Sequence, residues 1–570
     1  MAQTLRIVNY AVNGSGTGHL TRLVAVNRWL RRYAQALQLR AEIYFLTSSE
    51  ADSLLFHEGF ASFKMPSKTA VSDAGIDKLT YLAMAKQWVW HSLALLRPDL
   101  LVVDTFPSGS FGELLSALDL CRHKAFIHRP VKEEFASRPD FQAMLPLYDL
   151  IVVPEHGAGH GAGPGAASGA RKPQTERGLR HVGPVMVRER GELWRRDEVR
   201  AHFGVPDGSL LVYVSAGGGG DPGAEAQLHA VCSVLLLEPG LHLLVGAGPL
   251  YRGRPLFGPR IAWQTQAGAA ELLGGCDLAV CAAGYNSYNE LMLAGVPTIF
   301  LPQEKVADEQ DRRAETAEQA GAAICLRTPL PSGPRDRVQP GAETPFAREL
   351  RAALGRFRDP AVRDQARQAA MRLAPRSHAR DAAAALLGLL VPAHQVEAAV
   401  AAVTDELLAT LRESGTPFEQ ATELLHALVP HSTSGPHREA LAQAASAVQE
   451  LLQFARAQQI PFGSLVRLVR LCAHKLGAGE VQERVAALRQ ILSALVPFSD
   501  WPGALTFVKL LVSERQLSPS LAAAQIEDFL IARRAQGEDL YRVVARLSAA
   551  HGGDAQFTSN RDLLAAARGA

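Results

Sequence analysis

The sequence has little of what marks secreted, membrane-spanning or nucleic-acid-binding proteins. It contains 6 cysteines and no C-x-x-C pair, so a disulfide framework is not expected. No apolar run reaches the roughly 18–20 residues that a membrane-spanning helix needs. The formal net charge of +2 provides no excess of positive charge for binding nucleic acid. The composition therefore predicts a globular protein whose cysteines are buried free thiols in a reducing compartment.

The length of the chain and its N-terminal residues predict the number of domains and the cellular location. A chain of 570 residues exceeds one hydrophobic core and predicts roughly three or four domains. The opening stretch MAQTLRIVNYAV lacks a basic start and a long apolar segment, so no signal peptide is expected. We therefore expect a cytoplasmic protein.

From residue 5 to about 385, strand-like and helix-like segments alternate. Runs such as LRIVNYAV (5–12) and DLLVVDTF (99–106) are typical of strands in a parallel sheet that is covered on both faces. The pattern starts afresh with LLVYVS (210–215), after a crossover at RHVGPV (180–185). We predict an α/β protein with two doubly wound, Rossmann-like domains and a cleft between them. The expected domains are 1–183, 184–388 and an all-helical appendage at 389–570.

A glycine- and alanine-rich segment at 155–178 interrupts the first half. It shows no periodicity and is predicted to be a flexible loop. His156 and His160 lie in it, but a metal site would need further ligands, so the linker interpretation is favoured and no metal is expected.

The segment after about residue 390 has no strand pattern. Proline and capping residues mark the starts of successive helices at 416–419, 461 and 518–519. The pairs Pro417-Phe418 and Pro461-Phe462 recur 44 residues apart, as in a HEAT-like helical repeat. A plain helical bundle is the alternative.

A glycine-rich turn follows the first strand and leads into the first helix. In NGSGTGH, Gly16 and Gly18 let backbone N–H groups approach a substrate closely, and His19 stands at the first turn of the helix. Asp104 ends another buried strand and is expected at the same edge of the sheet. It can accept the Nδ1 proton of His19 and leave the other ring nitrogen as a base. The alternatives are a histidine that only stabilises the helix start and an aspartate that only caps a turn.

The second half opens with a similar turn, SAGGGG (215–220). Gly217 and Gly218 leave backbone donors open to a phosphate or an incoming substrate. The alternative is a loose loop.

The stretch from 282 to 303, AAGYNSYNELMLAGVPTIFLPQ, carries the most specific pattern. Gly284 comes just after a strand, and Asn286 and Ser287 begin the next helix, where backbone N–H groups suit a diphosphate. Glu290, one turn further on, is expected to face the same cleft and to accept hydrogen bonds from a ribose.

A charged segment follows in PQEKVADEQDRRAE. Asp308 and Gln310 are candidates for holding the hydroxyls of a donor sugar. The alternative, which applies most to Glu309 and Asp311, is a solvated helix face.

The pattern from Gly284 to Glu290, followed by Gly-Val-Pro and then Asp-Glu-Gln, resembles the donor-binding signature of GT-B glycosyltransferases. It is similar to plant-type UDP-glycosyltransferases and to the bacterial lipid I N-acetylglucosaminyltransferases. The resemblance covers about residues 5–385. It implies that the Asn-Ser pair and helix start bind pyrophosphate, the Glu binds ribose, and the acidic residue and Gln bind the sugar.

The same resemblance places His19 as the catalytic base and Asp104 as its partner. It implies an inverting transferase that takes a nucleotide sugar, with UDP as the expected nucleotide, as substrate and needs no cofactor. The rival hypotheses are a nucleotide-sugar 2-epimerase or hydrolase on the same fold, and a non-catalytic scaffold that binds a sugar nucleotide.

The acceptor and other partners stay open at this point. Residues 389–570 are candidates for docking a protein partner, for self-association or for acceptor binding. Peripheral membrane contact, or an acceptor patch, is one interpretation of a cluster of aromatic, aliphatic and basic residues at 86–97, and core packing is the favoured one. The residues of that cluster are Lys86, Trp88, Trp90, Leu93, Leu96 and Arg97.

Overall fold

The computed structural model describes most of the chain up to residue 496. The described residues are 4–12, 16–129, 131–155, 178–265, 269–304, 308–329, 344–414, 416, 418–428, 437–460, 464–466, 468–469 and 481–496. They divide into two compact units, the first made of described residues in 4–31 and 40–391, the second of those in 32–39 and from 392 onward.

Seven described strands form the first sheet, in the order β3-β2-β1-β4-β5-β6-β7 with every neighbouring pair parallel. The chain runs outward from β1 to β3 and then returns to build the other side from β4, so the order reverses between β1 and β4. The strands are β1 (Thr4–Ala11), β2 (Arg40–Thr47), β3 (Ala61–Lys64), β4 (Leu100–Asp104), β5 (His123–Ile127), β6 (Leu150–Val153) and β7 (Leu179–His181).

The helices that connect these strands vary widely in length. The two longest, α1 and α4, have 19 residues each. The N-cap residue of α4 is Asp77, whose side chain accepts a hydrogen bond from the backbone N–H of Thr80. The helices are α1 (Gly18–Ala36), α2 (Ser53–His57), α3 (Lys68–Asp73), α4 (Lys78–Leu96), α5 (Glu133–Ala136) and α6 (Pro139–Gln142).

Six described strands form the second sheet, in the order β10-β9-β8-β11-β12-β13, again all parallel. Its order reverses between β8 and β11, as that of the first sheet reverses between β1 and β4. The strands are β8 (Leu210–Ser215), β9 (Leu241–Gly246), β10 (Ile261–Gln264), β11 (Leu278–Cys281), β12 (Thr298–Phe300) and β13 (Ala323–Cys325).

Both faces of the second sheet are covered. Leu244 and Phe300 belong to a core cluster on one face, and their sequence neighbours Val245 and Ile299 belong to the cluster on the other. The helices are α7 (Arg196–His202), α8 (Ala224–Leu236), α9 (Ala269–Leu272), α10 (Tyr285–Ala294), α11 (Gln310–Gln319), α12 (Pro345–Phe357), α13 (Pro360–Leu373) and α14 (Ala379–Leu387). Short 3-10 turns lie at Leu118–Leu120, Leu145–Leu147, Arg190–Glu192 and Leu273–Gly275.

The prediction of two doubly wound, Rossmann-like domains is confirmed by these two sheets. In such sheets a ligand binds beyond the carboxyl ends of the strands, where the strand order reverses. The loops that follow β1, β4, β8 and β11 are therefore the ones that position a site. The predicted boundaries at 183 and 388 stay predictions.

The second unit is helical in its described part. Helix α18 packs against α15, α16 and α19. These helices are α15 (Ala393–Ala402), α16 (Asp405–Ser414), α17 (Phe418–Leu428), α18 (His437–Ala457) and α19 (Val481–Leu495). The helical content agrees with the predicted appendage. Pro417, Pro461-Phe462 and the start at 518–519 lie outside the described residues, and so do His156 and His160.

The cluster at 86–97 is mostly packed. Leu93 is fully buried, and Trp88 and Leu96 pack against the core of the first sheet, whereas Trp90 is 39% exposed. Core packing therefore accounts for three of its four large apolar side chains, and membrane contact stays a prediction. In the described part of the chain, no helix combines the length and the apolar character that crossing a membrane requires. The five cysteines that the structure describes are all buried free thiols, as expected.

Candidate active site

A cleft of about 300 Å³ lies within the first unit and is lined by residues from the loops of both sheets. The predicted site residues that line it are Gly16, Gly18 and His19 after β1, and Gly217, Gly218, Gly284, Asn286, Ser287, Asp308 and Gln310 from the second half. The loops approach each other closely, since a Cβ built on Gly18 would lie 4.0 Å from Asn286 Nδ2. The reversal points of the two sheets therefore share one cleft.

His19 and Asp104 are in contact. Helix α1 starts at Gly18 and presents His19 in its first turn, and Asp104 is the last residue of β4, the neighbour of β1. The Nδ1 atom of His19 lies 2.6 Å from Oδ1 of Asp104, whose side chain is fully buried. Asp104 accepts, so Nδ1 carries the proton, and Nε2 is the ring nitrogen that Asp104 leaves for a substrate.

Arg22, which the sequence analysis did not identify, holds the same carboxylate. Its Nε donates to Asp104 Oδ2 at 2.8 Å and its Nη2 to Oδ1 at 2.6 Å. The hydroxyl of Thr105, a residue with a left-handed φ of 64°, donates to Oδ1 at 2.6 Å. Burial raises the pKa of the Asp104 carboxyl, but Arg22 and His19 outweigh it and hold the pKa well below its usual range. The carboxylate of Asp104 is therefore ionised at neutral pH.

The surroundings of His19 favour the neutral imidazole by lowering its pKa. Burial lowers its pKa, Asp104 raises it, and the charges of Arg22 and Arg129 lower it, with the net result below the ordinary value of 6.5. A histidine beside a carboxylate usually gains basicity. Here the charge of Asp104 is already paired with Arg22, so burial decides the direction. A neutral imidazole that lines a cleft is the form that can accept a proton.

The opposite wall is the first turn of α10. Gly284 is its N-cap residue with φ −61° and ψ 150°, and Asn286 and Ser287 follow in the first turn. Oδ1 of Asn286 is buried and has no hydrogen-bond partner within the described part of the chain. The helix ends at Gly295, whose left-handed φ of 69° places a built Cβ 2.9 Å from Met371, so glycine is required there.

The glycine turn after β8 is ordered by hydrogen bonds from Ser215. Its hydroxyl donates to the carbonyl of Gly246 at 2.8 Å and accepts from the N–H of Gly217 at 3.1 Å. A built Cβ on Gly218 would lie 3.1 Å from Thr17, so this turn touches the turn after β1. The loose-loop interpretation does not fit a turn with these contacts.

Asp308 and Gln310 line the cleft but are already engaged. Asp308 Oδ1 pairs with Arg129 at 2.9 Å and with Arg313 at 2.6 Å, and Arg129 comes from the first sheet. Gln310 Oε1 accepts from the backbone N–H of Gln303 at 3.0 Å. A sugar would have to share or replace these bonds, so their assignment to the donor sugar stays a prediction.

Their charged neighbours are more exposed. Glu309 pairs with Arg312 at 3.3 Å and Asp311 is exposed, which is the arrangement of a solvated helix face.

Glu290 differs from the other predicted donor residues. It is not among the residues that line the described cleft, although we expected it to face that cleft. Burial raises the pKa of its carboxyl to about 7, with a smaller opposing contribution from Arg188. Its ribose role therefore stays a prediction.

Tyr285 is a second cleft residue that the sequence analysis missed. It is the first residue of α10, and its hydroxyl donates to the carbonyl of Pro154 at 2.7 Å and accepts from the N–H of Val185 at 3.1 Å. Its ring lies under the guanidinium of Arg22, 5.3 Å from the ring centroid. The aromatic residue was visible in the motif, but no sequence signal indicated these partners.

Comparison with known proteins bears on the second sheet. Residues 266–329 match the profile of a family described as "Glycosyltransferase family 28 C-terminal domain". A UDP-N-acetylglucosamine--N-acetylmuramyl-(pentapeptide) pyrophosphoryl-undecaprenol N-acetylglucosamine transferase of Salinibacter ruber is 28% identical over 192 residues, 28% of this chain and 51% of that relative. The protein of the same name from Mycolicibacterium vanbaalenii is 30% identical over 162 residues, 26% of this chain and 40% of that relative.

Superposition on solved structures gives weaker likeness. The calicheamicin glycosyltransferase CalG4 is 16% identical, with 68% of this chain and 100% of that chain covered and a TM-score of 0.42. A TM-score of 0.42 is too low to support a conclusion about activity. The chain spans about half or less of the length of the curated relatives it matches. The resemblance predicted from residues 284–310 is confirmed to this extent: the chain is similar to family 28 glycosyltransferases across residues 266–329, which include α10 and α11.

Proposed function

We propose that the chain is an inverting glycosyltransferase that moves a sugar from a nucleotide donor, with UDP as the expected nucleotide, to an acceptor hydroxyl. One observation carries the proposal. His19, whose Nδ1 contacts the buried carboxylate of Asp104, lines the same cleft as the N-terminal turn of α10. A base and an anion-binding helix start that share one cleft are what transfer from a diphosphate donor requires.

The donor diphosphate is assigned to the second-sheet wall. Backbone N–H groups at the start of α10 and the positive end of its dipole favour an anion, and Asn286 and Ser287 add side-chain partners. Gly217 and Gly218 leave room for close approach. The guanidinium of Arg129 lines the same cleft and adds positive charge near the leaving group.

The reaction is a single displacement. The acceptor hydroxyl gives its proton to Nε2 of His19, and its oxygen forms a bond with the anomeric carbon of the sugar. The bond from that carbon to the diphosphate breaks, and its electron pair leaves with the diphosphate. Attack from the opposite side inverts the configuration. Asp104 stabilises the imidazolium that forms, as in other His-Asp pairs.

The comparisons support the donor class. The name that the two relatives share specifies UDP-N-acetylglucosamine, so this is the first donor to test. Their acceptor is a pyrophosphoryl-undecaprenol. For this chain the acceptor stays open among lipid, saccharide, protein and small-molecule hydroxyls.

A panel of nucleotide sugars tests the proposal. The purified chain is incubated with UDP-, dTDP- and GDP-sugars, with and without acceptor mixtures, and products are followed by mass spectrometry. Transfer that depends on an acceptor is expected. Free sugar formed at the same rate without acceptor would indicate a hydrolase, and conversion of the donor to an isomer would indicate the epimerase alternative. Binding of a nucleotide sugar without turnover of any kind would favour the scaffold alternative.

Glu290→Gln tests the ribose assignment. If the carboxylate accepts hydrogen bonds from the ribose, its loss should weaken nucleotide binding by about 10-fold or more, since hydrogen bonds to charged groups contribute about 1.5–3 kcal/mol. Calorimetry with UDP measures the dissociation constant. Glu309→Gln, on the neighbouring charged segment, is the matched control and should bind like wild type. Unchanged affinity in Glu290→Gln would remove the ribose role and leave the rest of the proposal standing.

A further inference from the structure

Arg22 lies one helical turn after His19, and both side chains reach the same carboxylate. The side chain of Arg22 is 1% exposed and that of Asp104 is fully buried. The Nε and Nη2 atoms of Arg22 each contact a different carboxylate oxygen, which is the bidentate geometry that fixes a carboxylate most firmly. Nη2 also contacts the hydroxyl of Thr105 at 3.2 Å.

The charges that face His19 come from three elements. Asp104 approaches from β4, Arg22 from α1 and Arg129 from the loop after β5, while the ring of Phe106 packs at 5.5 Å. A buried carboxylate alone would draw a proton onto the imidazole. Because Arg22 balances that charge at contact distance, the imidazole can keep its hydrogen bond to Asp104 and still be unprotonated.

Arg22 also reaches the donor side of the cleft. Its guanidinium lies over the ring of Tyr285, the first residue of α10. The negative charge of Asp308, on the segment before α11, contributes to raising the pKa of Arg22. One side chain therefore contacts both the support of the base and the start of the helix to which the donor diphosphate is assigned.

We propose that Arg22 is a positioning residue for His19: it holds Asp104 with both Nε and Nη2, offsets the charge of that carboxylate, and sets the base against the start of α10. The kinetic part of this inference rests on the proposed function. The electrostatic part concerns the resting protein and can be measured without turnover.

Two substitutions separate charge from geometry. Arg22→Gln removes the charge but keeps an amide that can donate to Asp104. Arg22→Lys keeps the charge and loses the bidentate contact. In Arg22→Gln the titration midpoint of His19 should rise by about one pH unit or more, because a nearby positive charge that disfavours the imidazolium is lost. In Arg22→Lys the midpoint should stay within a few tenths of a unit of wild type.

The midpoint is read by NMR of histidine-labelled protein, with the His19 signal assigned by its absence in His19→Gln. Arg376→Gln is the matched control, since Arg376 pairs at 3.0 Å with Asp381 beside His378, away from the cleft. It should leave the His19 midpoint unchanged. Thermal unfolding of each variant checks that the fold is kept.

Activity provides a second readout. The acid limb of kcat/KM against pH should move upward with the NMR midpoint in Arg22→Gln, and stay in place with a lower plateau in Arg22→Lys. A purely structural role would lower both plateaus without moving either limb, and that result would overturn the inference. Should Arg22→Gln fail to fold, Arg22→Lys carries the test alone, and an unchanged kcat/KM plateau in that variant would overturn the inference. If the midpoints behave as expected but no donor and acceptor pair reacts, the proposed function fails and the charge balance stands.

Discussion

The first unit contains two histidine–aspartate–arginine groups with nearly the same short contacts. We refer to them as the cleft triad (His19, Asp104 and Arg22) and the surface triad (His378, Asp381 and Arg376). In both, Nδ1 of a histidine near a helix start contacts the carboxylate, at 2.6 Å in the cleft triad and 2.7 Å in the surface triad. In both, an arginine pairs with the same carboxylate, at 2.6 Å and 3.0 Å.

What differs is the surroundings of the carboxylate. In the cleft triad the aspartate side chain is fully buried, whereas in the surface triad it is 36% exposed and its arginine is 43% exposed. The surface pair is local, at i and i+3, and the histidine is the N-cap residue of α14. The cleft pair joins residues 85 positions apart through the order of the strands.

The comparison shows that a contact between a histidine and a carboxylate does not by itself make the histidine a catalytic base. The histidine of the surface triad is as buried as His19, but water reaches its carboxylate and its arginine and screens their charges. In the cleft triad the carboxylate and the arginine are shielded from water, and burial lowers the pKa of the imidazole, which lines the cleft. Four experiments test whether burial separates the two triads, and the titration of His19 in the Arg22 variants is one of them.

The largest expected difference is in turnover. His19→Gln should lower kcat/KM for glycosyl transfer by about 10² to 10⁴-fold, the usual contribution of a positioned general base. Nucleotide affinity should change little, because the donor wall is untouched. Rates are measured by mass spectrometry, and affinity by calorimetry with UDP.

His378→Gln is the matched control, since it removes the histidine of the surface triad. Its rate should stay within a few fold of wild type. Equal losses in the two variants would mean that the proposed base acts only through the fold, and normal turnover in His19→Gln would remove it as the base.

The next difference is in stability. Asp104→Asn leaves the buried guanidinium of Arg22 without its counter-charge, and breaking one side of a buried ion pair costs about 3–5 kcal/mol. Asp381→Asn breaks an exposed pair, which contributes only about 0–1 kcal/mol. Chemical denaturation followed by circular dichroism measures both free energies of unfolding.

A result in which the two asparagine variants lose the same stability would contradict the burial argument. A second check uses charge compensation. In Asp104→Asn combined with Arg22→Leu no uncompensated charge stays buried, so part of the lost stability should return. Activity should not return with it, because the tautomer of His19 still depends on the carboxylate.

The placement of His19 and Asp104 could be predicted because it follows from topology. A residue after β1 and a residue at the end of β4 share an edge whenever the two strands are parallel neighbours. The same reasoning placed Gly284, Asn286 and Ser287 at the start of α10, since glycine after a strand marks the turn into the next helix.

The contacts of Arg22, Arg129 and Asp308 were beyond such reasoning. Arg22 carried a weak signal, the i+3 spacing from His19 that puts both on one helix face. Arg129 and Asp308 are 179 residues apart, in loops that follow strands of different sheets, and no periodicity relates them. The sequence also does not show in which direction a side chain on a helix points. For this reason Glu290 was expected in a cleft that it does not line. Strand order fixes where a residue lies, but rotamers and partners from another sheet fix what it touches.

The smallest expected effect is on the pH at which the enzyme loses activity. The base must be unprotonated, so kcat/KM should rise with pH through the pKa of His19 and then level off. Burial and the nearby guanidinium groups lower that pKa below 6.5, so the acid limb should lie below 6.5 and the rate should be flat from about pH 7 to 8. The lowered pKa has a matching effect on folding. The unfolded chain takes up the proton first as pH falls, so the cleft triad makes the free energy of unfolding decrease as the pH drops through 6.5. His378→Gln should leave the acid limb in place, because the surface triad does not face the substrate. An acid limb above 6.5 would mean that Asp104 has a larger effect than burial on the pKa of the imidazole, and it would contradict the burial argument for the cleft triad.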